Sequence, residues 1–416
     1  MPRDRVRRAR RHHVLIRSDG RETVGEKPRR WSRRLLVALL VVLIAGGVPA
    51  LVAALTGSQP TSSSTSATDK APQIQLPGGA EPGVAGFNGA TCAGSSVCLA
   101  VGASASDGAT IAKSTDGGSS WAPVTVPDGT PTLSDVACTD KEHCAAVGAG
   151  AILTSADGGS SWSSANDPLS GANLLGVTCA TTDTCLAAGV TADDNGLSGA
   201  ILRSTDGGGT WATAQIPDFA GGALGAVVCP SATTCIAVGN DILVSTDAGQ
   251  TWSFRAVAGG MQSLRSIACS TAEHCVAIGP NPLASKEPGL AAFAVETLDG
   301  GATWSALVMP QGSGDLDAVS CPSTSSCEAV GGDSANGLAP TGLISDDGGH
   351  SWALAQGPSA FTGIATLVCP PGGSSCMAAG RGSGGLAAGS GPPGTPGAWS
   401  PKSIAKSQSA QNGSAT

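Results

Sequence analysis

The sequence predicts an all-β fold, a seven-bladed β-propeller with four-stranded blades, preceded by a single transmembrane helix. Three observations predict it. Seven cysteine pairs recur about every 40 to 50 residues, a Ser/Thr-x-Asp segment ending in Trp follows each of the first six pairs, and one uncharged apolar run of 21 residues, Leu35–Leu55, precedes them all.

Composition narrows the alternatives. The chain has 416 residues with 60 Gly, 14 Cys, 8 Trp and no Tyr, and only 13% of it is charged. Gly follows no period of three, which excludes collagen, and 41% hydrophobic residues with Cys and Trp at fixed intervals exclude a wholly disordered chain.

In chain order, residues 1–34 form a basic arm with 13 Lys and Arg against 4 Asp and Glu, net +9. The remainder carries 10 against 27, net −17. Between them, residues 35–55 as a helix would span about 31 Å, the thickness of a hydrocarbon core. Arg29, Arg30, Arg33 and Arg34 abut its N-terminal end, which places the arm in the cytoplasm and the acidic remainder outside, as a single-pass cell-membrane protein. A signal anchor is the expectation. Val48 and Ala50 also satisfy a small-residue cleavage rule, so a cleaved signal stays open, and Ser32–Leu36 faintly resembles a twin-arginine export signal. The arm reads as a solvated topology determinant and not as a nucleic-acid site. Alanine and glycine abundance, with Arg favoured over Lys in the arm, suggests a bacterial, GC-rich origin.

Residues 56–82 are rich in Ser, Thr and Pro and read as a flexible linker, and 403–416 read as a disordered tail. The folded part is expected over 83–402.

Within it the pairs are Cys92 and Cys98, Cys138 and Cys144, Cys179 and Cys185, Cys229 and Cys235, Cys269 and Cys275, Cys321 and Cys327, and Cys369 and Cys376. An apolar residue such as Leu133, Leu174, Leu224, Leu264 or Leu316 stands five positions before the first Cys. Ala recurs two positions after the second Cys and Gly four positions after it. Cysteines facing across a hairpin would sit about 4.5 to 5.5 Å apart at Cα, within disulfide range, so seven local disulfides are expected. Metal binding does not suit this spacing.

The second motif holds Asp116 and Trp121, Asp157 and Trp162, Asp206 and Trp211, Asp247 and Trp252, Asp299 and Trp304, and Asp347 and Trp352. The last unit keeps only Ser390 and Trp399. Asp can bond backbone N–H groups across a turn, Gly supplies positive φ, and Trp opens the next strand and covers the turn. Each unit therefore reads as four short strands, the unit of a propeller blade. Gln73–Leu76 or Trp399–Ile404 would supply the strand that closes the ring.

These segments resemble Asp boxes. The chain is thus similar to the Asp-box (BNR, sialidase-like) repeat propellers, in layout to the photosystem II stability and assembly factor propellers among them. The resemblance implies a fold and not an activity. In that superfamily the boxes are turn elements away from the catalytic centre. One or two carboxylates per turn are too few for calcium, and no cofactor or metal is expected.

A sialidase needs a Tyr nucleophile and three clamping arginines. Here there is no Tyr, and Arg203, Arg255, Arg265 and Arg381 are the only arginines beyond the apolar run. A two-carboxylate glycosidase would draw on Asp135, Asp193, Asp194, Asp315, Asp317 and Asp333, of which Asp135 and Asp317 lie in first strands near the axis. His143 and His274 occupy equivalent Cys loops, which reads as repetition.

Spacing indicates where function sits. Trp to the next Cys is 17 residues in five cases and 18 in the other, whereas second Cys to box Asp runs 18, 13, 21, 12, 24 and 20. The freedom lies in the loop joining the second and third strands, on the face opposite the Cys loops and boxes. Asp107, Asp193, Asp194, Lys286, Glu287 and Asp333 are its candidate contacts, with tolerated insertion as the competing reading. The expected function is a non-catalytic, membrane-anchored binding or assembly scaffold, monomeric, for a protein or cell-envelope glycan. The alternative is a cell-surface glycoside hydrolase or carbohydrate-binding protein.

Overall fold

A computed structural model describes residues 86–104, 108–193, 196–217, 222–257, 263–281, 292–332, 341–357, 361–370, 376–382, 385–391 and 400–402. The basic arm, the apolar run, the linker and the tail lie outside the described residues. Among those described, no helix is long and apolar enough to cross a membrane.

Twenty-eight strands form seven antiparallel four-stranded sheets, each a meander of four consecutive strands. The first strands of successive sheets lie side by side, and the first strand of the first sheet (Gly86–Ala93) also meets that of the last (Phe361–Val368), so the sheets ring an axis. The expectation of a seven-bladed propeller is corrected to six complete blades, the sheets that each hold a box turn and its buried Trp. In the sheet from Phe361 to Lys402, the segment that would hold the seventh turn and Trp399 lies outside the described residues. The expected transmembrane helix, 35–55, lies outside the described residues.

Of the two segments expected to close the ring, the C-terminal one supplies an outer strand, Ser400–Lys402, to the last sheet, and Gln73–Leu76 lies outside the described residues. Among the described residues no strand is shared between the ends of the ring. Phe87, Ala100 and Trp121 of the first blade pack on Met377 and Ala379 of the last sheet, and this apolar contact is the closure.

The repeat residues explain the blade. In each first strand the apolar residue five before the Cys is buried, from Phe87 and Leu133 to Leu316 and Ile364. The next residue bulges out of register in five sheets, between Phe87 and Gly89, Leu133 and Asp135, Leu174 and Gly176, Leu224 and Ala226, and Ile364 and Thr366. The repeated Gly after the second Cys makes room for it. A Cβ at Gly102, Gly148 or Gly239 would stand 2.0 to 2.1 Å from the carbonyl oxygen of the residue just before that buried apolar one. The recurrent Ala two residues earlier is fully buried in all seven sheets.

Each cysteine pair is a disulfide directly across the first hairpin. The Cα atoms are 3.9 to 4.1 Å apart, closer than the 4.5 to 5.5 Å expected for an unbridged cross-strand pair.

The core lies between blades. Each box Trp inserts against the second strand of the preceding sheet: Trp162 against Leu99 and Val101, Trp211 against Ala145 and Val147, Trp252 against Leu186 and Ala188, Trp304 against Ile236 and Val238, Trp352 against Val276 and Ile278. Trp121 does the same on Met377 and Ala379. Truncating such a Trp costs about 3 to 5 kcal/mol. The seam between the sixth blade and the last sheet has no Trp among its described residues and consists of Ala318, Val330, Ile364, Leu367, Ala378 and one disulfide.

Candidate functional site

Two faces follow from the meander. The lower face carries the Cys loops and the box turns, which are tied together: the turn's Gly117, Gly158, Gly207, Ala248, Gly300 or Gly348 N–H donates to a carbonyl of its own blade's Cys loop at 2.6 to 2.9 Å. The upper face carries the loops between second and third strands and the mouth of the axial channel.

Each box turn is a closed hydrogen-bond unit. The Ser or Thr hydroxyl donates to Asp Oδ1 at 2.7 to 2.9 Å and accepts from the N–H four residues on. The Asp in turn accepts the N–H four residues after it on Oδ1 and that residue's hydroxyl on Oδ2, the latter at 2.6 Å. Trp Nε1 donates to the second Gly carbonyl in five of the boxes. These bonds hold Asp116, Asp157, Asp247 and Asp347 at about 2, and Asp206 and Asp299 are lowered in the same way. All the carboxylate oxygens are used within the turn, so the boxes are structural.

On the axis, the residues that follow the buried apolar position line a cavity of about 190 Å³ whose wall includes Asn88, Ser134, Leu175, Arg265 and Asp317. Arg265 and Asp317 occupy the same repeat position in the fifth and sixth blades and form a close ion pair. Burial raises the Asp317 carboxyl, with the arginine opposing. Arg265 is 44% exposed, so the pair meets solvent at the channel wall.

Asp135 has a different use. Its Oδ2 accepts the Val177 N–H of the next blade at 2.9 Å, and Ser266, at the same repeat position, accepts the Val319 N–H at 3.2 Å. Asn88 Nδ2 donates to Leu133 O at 2.8 Å, and Ser320 Oγ accepts the Cys369 N–H at 3.0 Å. Four side chains thus clasp inner strand to inner strand. Desolvation pushes Asp135 up to about 7. The two axial carboxylates are therefore spent differently, Asp317 on an arginine and Asp135 on a backbone clasp.

Of the upper-face candidates, Asp107, Asp194, Lys286, Glu287 and Asp333 lie outside the described residues. Asp193 ends the second strand of the third blade (Cys185–Asp193) and pairs with Gly196. Around these candidates the second and third strands run on: Thr191 pairs with Ser198 and Ala192 with Leu197, so the added residues lengthen a hairpin. The two shortest spacings correspond to tight turns, Gly148 pairing with Ala151 and Val238 with Ile242.

On the lower face, His143 stacks its Nδ1 3.0 Å from Asp140, an exposed local pair that raises His143 and lowers Asp140 to about 2. Its counterpart His274 lies instead beside buried Glu296, with His350 on the other blade. Sequence reasoning passed over Glu296; the visible signal was a lone acid directly before a box Thr. Glu328 with Cys369 and Cys376 also converges, but those sulfurs are joined in a disulfide.

Fold and site define an all-β propeller whose conserved geometry is structural and whose variable loops gather on one face. No known family profile matches the sequence, and no curated protein matches it. Among solved structures it is similar to YCF48 bound to D1 peptide, at 18% identity and TM-score 0.54 over 75% of this chain and 94% of that one. It is also similar to YCF48 from Cyanidioschyzon merolae, at 16% identity and TM-score 0.52 over 73% and 95%. A GH74 enzyme from Niastella koreensis matches at 16% identity and TM-score 0.54, over 78% of this chain and 54% of that one. At these identities the likeness is one of fold.

Proposed function

We propose that the chain is a non-catalytic binding scaffold that presents its upper face to a protein partner. The observation that carries this reading is the engagement of both axial carboxylates, Asp135 by a backbone N–H and Asp317 by Arg265, so that among the described residues these two do not face each other as a free acid and base. The structure of YCF48 bound to D1 peptide supports a protein as the partner, because it is a propeller of similar layout with a peptide bound. The apolar run 35–55 and the basic arm support a single-pass cell-membrane anchor with the propeller outside, and seven disulfides suit an oxidising compartment.

In-cell crosslinking of the full-length chain, with mass spectrometry of co-purifying proteins, tests this. A variant with residues 282–288 and 333–340 replaced by short Gly-Ser turns is the control. One abundant protein partner lost in the variant is the expected result. Retention of envelope glycan with no specific protein would move the function to carbohydrate binding, and glycan hydrolysis abolished by D135N with D317N would overturn the scaffold reading.

A further inference from the structure

The fifth and sixth blades meet on the lower face at three side chains that partner binding does not use. Glu296 stands in the third strand of the fifth blade (Ala292–Thr297), one residue before the box Thr297. The same position in the first and third blades holds Lys113 and Arg203, which reach the next blade's turn at Ser160 Oγ (2.7 Å) and Ala248 O (2.8 Å). In the fifth blade the reaching group is a carboxylate, and it meets imidazole: His350 Nδ1, in the sixth blade's box turn, is 2.9 Å away.

A second imidazole approaches from the fifth blade's own Cys loop, with His274 Nε2 3.3 Å from the same carboxylate. That nitrogen is buried and has no hydrogen-bond partner among the described residues. The Glu296 side chain is only 5% exposed, and its ion-pair partners among the described residues are these two imidazoles. A buried carboxylate with a buried, unpartnered imidazole nitrogen beside it is costly as a set of neutral hydrogen bonders and favourable as a ligand set.

We propose that His274, Glu296 and His350 bind a divalent transition-metal ion of the Zn²⁺ class and that the ion ties the fifth blade to the sixth. Two imidazoles and a carboxylate are the donor set such borderline ions take, with an open position left for water. Ligands about 2.1 Å from a tetrahedral ion lie roughly 3.4 Å apart, comparable to the two nitrogen–carboxylate distances, while the two imidazole nitrogens stand farther from each other and must close on the ion. Glu296 and His274 are held in a strand and a disulfide-closed loop. His350 is 60% exposed on a surface turn and swings in, giving up its hydrogen bond to Glu296 and any ring proton.

The test is calorimetric titration of Zn²⁺ into the full-length chain carrying H12A and H13A, which removes the adjacent histidines of the arm. One equivalent should bind and raise the thermal midpoint. H350Q and H274Q should each weaken binding at least tenfold, and H143A should leave it unchanged. Absence of saturable binding, or equal binding by H350Q, overturns the site. H350Q sits on an exposed turn and decides the matter alone if H274Q does not fold.

Discussion

Ala248 is the residue that stands out against its repeats, because five boxes place Gly where the fourth places Ala at φ 59°. A left-handed Ala costs about 1 to 2 kcal/mol, and replacing it with Gly returns part of that as extra freedom of the unfolded chain. Ala248→Gly should therefore stabilise the protein by roughly 0.5 to 1 kcal/mol in denaturant unfolding. At Asp135 the prediction concerns pH. Its folded pKa, about 7, lies above the ordinary value of 3.8, so its contribution is fully present below about pH 4 and is lost as pH rises through 7. Asp135→Asn keeps an acceptor for Val177 N–H and should flatten the thermal midpoint between pH 4 and 7. The box aspartates work in the opposite sense: held at about 2, they stabilise above pH 4 and lose that stability as pH falls through 2. Asp157→Asn should shrink the acid-side loss of midpoint.

At the scale of the element, the bulge and its Gly are one device. The Gly148 position has a carbonyl oxygen 2.1 Å from where a Cβ would stand, so Gly148→Ala must shift backbone and should cost about 3 kcal/mol or more, read as a lowered urea midpoint. The element-level grammar was legible in the sequence because it repeats. Cys spacing marked the hairpins, Ser-x-Asp marked the turns, and Trp marked the fourth strands. The inter-blade clasps were not legible, since Asp135 and Ser266 share a position but not a chemistry, and a carboxylate near the axis reads as an acid until its backbone partner is seen. Glu296 was hidden for a similar reason: its two imidazole neighbours are 22 and 54 residues away and on two different turns. The spacing from second Cys to box Asp did not reveal the long hairpin of the third blade, because length alone does not distinguish a loop from longer strands.

At the scale of the whole molecule, the seams differ among the described residues: six hold a box Trp and one does not. The seam between the sixth blade and the last sheet, with its small aliphatic core, should open first. Amide exchange should show lower opening free energy over 361–391 than over any complete blade, and uniform protection around the ring would contradict this. Closure of the ring by packing on Met377 and Ala379, with no strand shared among the described residues, bears on synthesis. At about 5 to 20 residues per second, a unit of some 45 residues emerges every few seconds. Each sheet then has all four of its strands, and its own disulfide partners six or seven residues apart, before the next begins to appear. Only one contact in the ring has to wait for the end of the chain, so nascent sheets need not expose an unpaired edge while the final segment is still being made.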